Sequence, residues 1–357
     1  MKYLFTLIIM VLISQALPAQ DDYRIIGSTH QVRESINTGF FLQSFEDRRP
    51  FRANLGIVNR GVNKDVKRQL IPESGFFESM LQQMNSWLSP EEGAEPVVAA
   101  VRELYLWENQ MAKSGEGFIR LEMAFAGKPG EEETIIAVEL SGAELKVADG
   151  HAIRLEAAFF RCLQKYSEQR RLGENAGAMA SAGKERRRKA PGVLAARNFL
   201  ALWKEDFFPL PANLSLKGGP YRYQFARAGK APEQPFYALK EGESLYIWAA
   251  NYPGAGEYYT RVLEQGRYLF LIDDITFREE SKMGRELGLA SSGKAGIVID
   301  MKTGYPQVVD DALMEHLMSP YPELQEQYLF KDILKYPFQL TRVQNVIAAI
   351  NRREQEN

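Results

Sequence analysis

Gly288 to Ala295, GLASSGKA, is the run closest to a chemical signature in this sequence. It matches the phosphate-loop pattern G-x-x-x-x-G-K-[ST] except at its end, where Ala295 replaces the hydroxyl that would hold magnesium. Such a loop also needs a helix after it, whose N-terminal N–H groups face the phosphates. Here Gly296-Ile297-Val298-Ile299-Asp300 reads as a strand, so the run is expected to be a flexible loop, and no cofactor is expected. Adjacent carboxylates occur at Glu91-Glu92, Asp273-Asp274 and Glu279-Glu280. Glycoside hydrolysis needs two carboxylates on one bond, but neighbours on a strand point to opposite faces. Asp273 and Asp274 fall where a strand gives way to a loop, and a turn role is expected of them. No G-x-S-x-G nucleophile elbow is present. The lone Cys162 lies on an apolar helical stripe and reads as core. With His30, His151 and His316 far apart, no transition-metal site is expected. The residues form no recognisable catalytic constellation.

The most suggestive residues are aromatic. Trp248, Tyr252, Tyr258 and Tyr259 surround Asn251-Tyr252-Pro253-Gly254-Ala255-Gly256, a turn rich in glycine and proline. On an exposed turn such rings can stack on sugars or fill a partner's pocket, so these four are the candidate binding residues. Ordinary sheet packing is the competing reading, since aromatics are favoured in strands.

The elements that must position these residues follow from periodicity. Phe76, Met80, Met84 and Trp87 recur at helical spacing, predicting a helix near 74–88. Val97 to Trp107 suits a strand. Ile119, Leu121, Met123 and Phe125 alternate with Arg120, Glu122 and Ala124, and Ile136, Val138 and Leu140 with Ile135, Ala137 and Glu139. A second helix carries Leu155, Phe159, Cys162, Leu163 and Tyr166 on one face. Further on come an aromatic helical piece over 194–208 and strand candidates at 221–225, 244–250, 258–263, 267–273 and 296–301. Asp310 then caps a helix, and a last helix bears Leu340, Val343, Ile347 and Ile350. The expected fold class is α+β, with two domains that each pack an antiparallel sheet with amphipathic helices.

The chain opens MKYLFTLIIMVLISQALPAQDD: one lysine, a short apolar run, then a small residue at Ala19. That order is a secretory signal peptide over 1–19, too short in its apolar run to span a bilayer. The rest divides into an N-terminal domain over 20–171, a flexible basic linker over 172–192 and a C-terminal domain over 193–357. The linker is rich in alanine and glycine and ends in a cluster from Lys184 to Lys189. A solvated linker is the plain explanation of that cluster, and contact with anionic lipid head groups or a partner's acidic face the functional one. With 44 basic against 46 acidic residues, the chain offers no global footprint for nucleic acid.

Over residues 70–170 the order of helix, VRELYLWE strand, two alternating strands and the helix ending AAFFRCLQKY resembles the ABC-type transport auxiliary lipoproteins of Gram-negative envelopes. The chain departs from them in lacking a lipid-acceptor cysteine. The second half, with GRYLFLID and VIDMKTG, is similar to uncharacterised exported proteins of Gram-negative bacteria. Together these features lead to a periplasmic or secreted, non-enzymatic accessory or binding protein of the envelope, with a protein or glycan partner and no transmembrane segment after cleavage. The rival expectation is a hydrolase of envelope polymer or glycan, with carboxylates that sequence cannot pair. Mass spectrometry of the protein from envelope fractions should find an N-terminus at or near Gln20. Intact Met1 in the soluble cytoplasm would contradict export.

Overall fold

The computed structural model describes residues 23–25, 35–60, 66–111, 114–127, 132–143, 150–173, 192–225, 235–252, 256–275 and 293–356. The first half contains β1 (Tyr23–Ile25), β2 (Ile36–Asp47), β3 (Gly56–Arg60), β4 (Val66–Pro72), α1 (Phe76–Ser86), β5 (Leu88–Met111), β6 (Ser114–Ala126), β7 (Thr134–Ala143) and α2 (Gly150–Gly173). The seven strands form one sheet, in the order β1-β4-β3-β5-β6-β7, with β2 also paired to β5. The β5-β6-β7 meander is antiparallel, as expected, whereas β2 and β3 both run parallel to β5. This works because β5 is 24 residues long. Its start pairs with β2, and Leu106-Trp107 pair with β3. The β3 contact needs Gly56, at φ 143°, because any Cβ there would lie 1.8 Å from the Leu106 carbonyl oxygen.

The alternation read from sequence is borne out. Ile119, Leu121, Met123 and Phe125 point into a core closed by Met80 and Met84 of α1 and by Leu155, Phe159, Cys162 and Leu163 of α2. Burying such stripes is what holds marginal helices in place. The helix α2 continues through Leu172 to Gly173, so the linker does not begin at 172. The rest of the expected linker to 191, with its basic cluster, lies outside the described residues.

The second half contains β8 (Leu194–Ala196), α3 (Phe199–Trp203), β9 (Phe208–Pro209), β10 (Leu216–Gly219), β11 (Arg222–Phe225), β12 (Ala238–Glu241), β13 (Ser244–Trp248), β14 (Tyr259–Arg261), β15 (Tyr268–Ile275), β16 (Gly293–Asp300), β17 (Pro306–Val308), α4 (Asp311–Met318), α5 (Pro322–Gln327) and α6 (Leu340–Glu356). The expected helical piece over 194–208 is mostly not helix: β8 pairs with β12 and β9, leaving one short helix capped by the Asn198 side chain. An antiparallel sheet runs β10-β11-β14-β13-β12-β8-β9, and a second runs β15-β16-β17. An apolar layer that includes Ala238, Ile247, Leu269, Leu271, Ile297 and Ile299 separates the sheets. On the far side of the smaller sheet lie α4 and α6, whose Met314, Leu317, Val343 and Ile347 pack with Phe270 and Val298. The Asp310 side chain caps α4, accepting from Leu313 N–H at 2.7 Å. The class is α+β. No helix among the described residues is long and apolar enough to cross a membrane.

The halves meet over the sheet face opposite α1 and α2. Phe51 and Tyr105 pack with Phe199 and Leu200, and Trp107 and Trp203 rest on the same cluster. Polar contacts flank this plug. Asn54 Nδ2 donates to the Thr303 carbonyl at 2.7 Å, Tyr305 OH donates to the Lys67 carbonyl at 3.0 Å, and Lys204 pairs with Glu103.

Buried Lys67 donates through Nζ to the Asn59 side-chain oxygen at 2.5 Å and across the junction to the Ala250 carbonyl at 2.7 Å. Asn59 donates from both nitrogens to Glu108, which also contacts His151 Nε2 at 3.0 Å. Burial pulls the Lys67 ammonium down to about 8, with Glu108 acting against the shift. A folded-state value below the unfolded one means that, above it, the unfolded chain holds a proton the folded chain has released. Stability contributed by Lys67 should therefore rise with pH. Relative to Lys67→Met, wild type should gain on the order of 2 kcal/mol between pH 8 and about pH 10. Urea melts of the two proteins across that range check this, and parallel pH profiles would contradict it.

Candidate functional site

Strand β15 reads YLFLIDDI, and its side chains alternate between two apolar environments. Leu269, Leu271 and Ile275 enter the layer between the sheets, while Phe270 and Ile272 meet the helices. Asp273 has the parity of Leu271 and Ile275, so the fold carries a carboxylate into an apolar layer with no side-chain exposure. An ionised carboxylate survives there only if its lone pairs are filled.

They are filled from four directions. Oδ1 accepts from Arg222 Nη2 of β11 and from the Asp274 N–H at 2.8 Å. Oδ2 accepts from Tyr252 OH at 2.5 Å, from Tyr258 OH at 2.9 Å and from the Thr260 hydroxyl at 3.3 Å. Burial first, and the Asp273 charge second, push the Tyr252 and Tyr258 phenols above the usual range, so both remain neutral donors. Arg222 also pairs with Asp274 at 3.0 Å and lies 4.4 Å from the Tyr258 ring centre. Burial lowers its guanidinium, but attraction to Asp273 and Tyr258 and the hydrogen bonds to Asp273 and Asp274 together outweigh that and raise it.

This cluster floors a cleft of about 550 Å³ lined by Gly219–Arg222, Thr260, Arg261, Leu263, Ile272, Asp273, Asp274 and Lys294. Among the described residues, neither Arg261 nor Lys294 makes an ion pair, and Lys294 is exposed. The cleft thus combines a neutralised carboxylate floor with two cations that make no ion pair among the described residues. It can hold an anionic group, while Asp273 itself is fully buried and both its oxygens already accept hydrogen bonds.

The aromatic residues singled out from sequence do not form an exposed surface. Trp248 and Tyr259 are a cross-strand pair of β13 and β14, with ring centres 4.8 Å apart, and pack into an aromatic cluster with Tyr246 and Leu239. Tyr252 is 2 % exposed, because the single 3-10 turn Ala249–Asn251 returns it beneath the sheet. Tyr258 is half-buried against Arg222. Packing prevails because both faces of β13 are buried, Leu245 and Ile247 on one and Tyr246 and Trp248 on the other. Residues 253–255 of the turn lie outside the described residues.

Asp273 and Asp274 are not turn residues either. They lie within β15 and pair with Ala295 and Lys294, so Gly293-Lys294-Ala295 is strand rather than loop, while 288–292 lie outside the described residues. Glu91 and Glu92 are exposed in β5, and Glu279-Glu280 and His30 lie outside the described residues. Buried Cys162 has its thiol pushed up to about 12 by desolvation, the mark of an inert core cysteine. No group of three or more His, Cys, Asp or Glu among the described residues could hold a metal ion. Sequence reasoning missed Arg222, Thr260 and Arg261, and met Lys294 only as part of the Gly288–Ala295 run. The alternation Leu269-Leu271-Asp273-Ile275 was a usable signal for Asp273, but nothing local marked the three missed residues.

Residues 219–334, about a third of the chain, match a family of unknown function (DUF6563). The matched region begins at the first cleft residue and contains the whole cleft. It agrees with the similarity of the second half to uncharacterised proteins and does not reach residues 70–170, so it lends no support to the likeness with transport auxiliary lipoproteins. Comparison with curated proteins found no match.

Tyr252→Phe keeps the ring and removes one donor to a buried charge. It should cost about 2 kcal/mol in denaturant melts, within the range for hydrogen bonds to charged groups. Tyr252→Ala should cost about 3–5 kcal/mol by emptying the core site as well. A change under about 0.5 kcal/mol for Tyr252→Phe would show that the phenol does not hold Asp273.

Proposed function

We propose that this protein is an exported, non-enzymatic accessory or binding protein of the bacterial envelope, periplasmic or secreted, whose cleft takes an anionic group of a protein or glycan partner. The observation that carries the reading is the pairing within the cleft. Asp273 and Asp274 are bridged by Arg222, while Arg261 and Lys294 make no described ion pair. Cations in a recess that make no ion pair among the described residues attract a carboxylate or phosphate, and the low-dielectric walls strengthen that attraction. Hydrolysis would instead need a carboxylic acid free to give or take a proton, a role that the donors around Asp273 oppose. The charged, apolar, small order of residues 1–19 supports export.

The test is capture from envelope extracts by immobilised wild type and by Arg261→Glu/Lys294→Glu. Both are surface replacements that should leave stability within about 0.5 kcal/mol. The partner should be retained by wild type and lost about tenfold or more by the double variant, since like charges facing each other across an interface are strongly unfavourable. Equal capture by both proteins would remove the cleft from consideration. Soluble fragments released from envelope polymer by wild type would favour the hydrolase.

A further inference from the structure

We propose that the segment from Tyr328 to Phe338 is a membrane-contact tip that seats on an anionic lipid surface. Exposed large hydrophobic residues are ordinary when scattered singly and informative when grouped. Of the eight among the described residues, three fall within this segment: Leu329 at 80 % exposure, Phe338 at 76 % and Tyr336 at 46 %.

Their exposure is not the result of a loose backbone. The Asp311 carboxylate at the start of α4 accepts from the Asp332 and Ile333 N–H groups at 2.6 and 2.9 Å. Ile333, 1 % exposed, plugs the helical core beneath. Gln339 Nε2 donates to the Lys331 carbonyl at 2.7 Å, and the Arg342 guanidinium lies 5.6 Å from the Phe330 ring centre. The two arms of the segment are thereby held side by side. Tyr336 and Phe338 lie with ring centres 5.7 Å apart. The fold thus holds apolar side chains out into water on a fixed base.

The charges around them decide the occupant. Lys331, Lys335 and Arg342 stand against Asp332, itself paired to Lys335 at 3.5 Å, and against the anchoring Asp311, which leaves the tip a net charge of +1 with Lys331 and Lys335 on its exposed side. Leucine, phenylalanine and tyrosine with flanking lysines suit the boundary between head groups and acyl chains. The rings enter the apolar zone there, and the ammonium groups remain with lipid phosphates.

The test is flotation with vesicles of phosphatidylcholine alone or mixed with phosphatidylglycerol, using residues 20–357. Residues 1–19 are omitted because their apolar run would itself partition, and the described structure begins at Tyr23. Wild type should float with the mixed vesicles, far less with phosphatidylcholine alone, and less again in about 0.5 M salt. Leu329→Ser/Phe338→Ser should lower partitioning about tenfold or more by removing buried apolar area. Lys331→Glu/Lys335→Glu should lower it by a similar factor through charge reversal. Both pairs are exposed and should melt as wild type does. Arg261→Glu/Lys294→Glu should still float, which separates this site from the cleft. The proposal is overturned if wild type does not float, or if the serine variant floats equally well while loss of the cluster at Lys184–Lys189 abolishes binding. A dimer in solution that the serine variant dissociates would overturn it too, assigning the tip to a second copy of the chain.

Discussion

A single carboxylate inside an apolar layer constrains the second half of this protein. Removing a charge from water costs several kcal/mol even after relaxation, so Asp273 is tolerable only with its donors in place. Those donors come from β11, from the turn after β13, from the entry to β14 and from the backbone of β15 itself. Displacing any one of these segments would leave the charge partly unpaired. The two sheets are therefore locked in relative position by electrostatics as well as by Leu269, Leu271 and Ile297. The cleft inherits this rigidity, since its floor is the same cluster.

A second buried charge network acts at the junction of the halves. Glu108, Asn59 and Lys67 form a chain from His151 at the start of α2 to the Ala250 carbonyl in the other half. Burial pushes the Glu108 carboxyl up, but hydrogen bonds and charge from His151, with the Asn59 hydrogen bonds, together outweigh it and hold the group below its usual range. Together with the Phe51, Tyr105 and Phe199 plug, this network gives two separately cored halves a common boundary. The length of β5 makes this arrangement available, because residues of alternate parity face α1 and α2 on one side and the second half on the other.

Strand β15 serves both candidate surfaces. Its inward parity delivers Asp273 to the cleft, and its outward parity, through Phe270, packs the helices whose Asp311 anchors the exposed tip. Binding surfaces resting on ordered elements lose little entropy when a partner arrives, an advantage that loop-borne sites lack. The cleft lies wholly within the region that matches DUF6563, a family without an assigned function.

Much of the fold was legible in the chain because periodicity reports which face is buried. The helices α1, α2, α4 and α6 and the strands β5 to β7 were readable from stripes such as Met80-Met84 and Ile119-Leu121-Met123. The short strands β8 and β9 were not, since three- and two-residue strands carry no period, and Leu194–Phe208 mimics a helix in composition. The parallel partners of β5 were hidden because pairing between distant strands leaves no local mark. The aromatic types around Tyr252 were evident in sequence, but their burial was decided by a single 3-10 turn and by packing on both faces of β13. In the same way, sequence alone supplied an aspartate at the parity of Leu271. Only tertiary structure brought Arg222, Tyr258 and Thr260 to it, because a charge recruits neighbours in space and leaves no spacing rule along the chain.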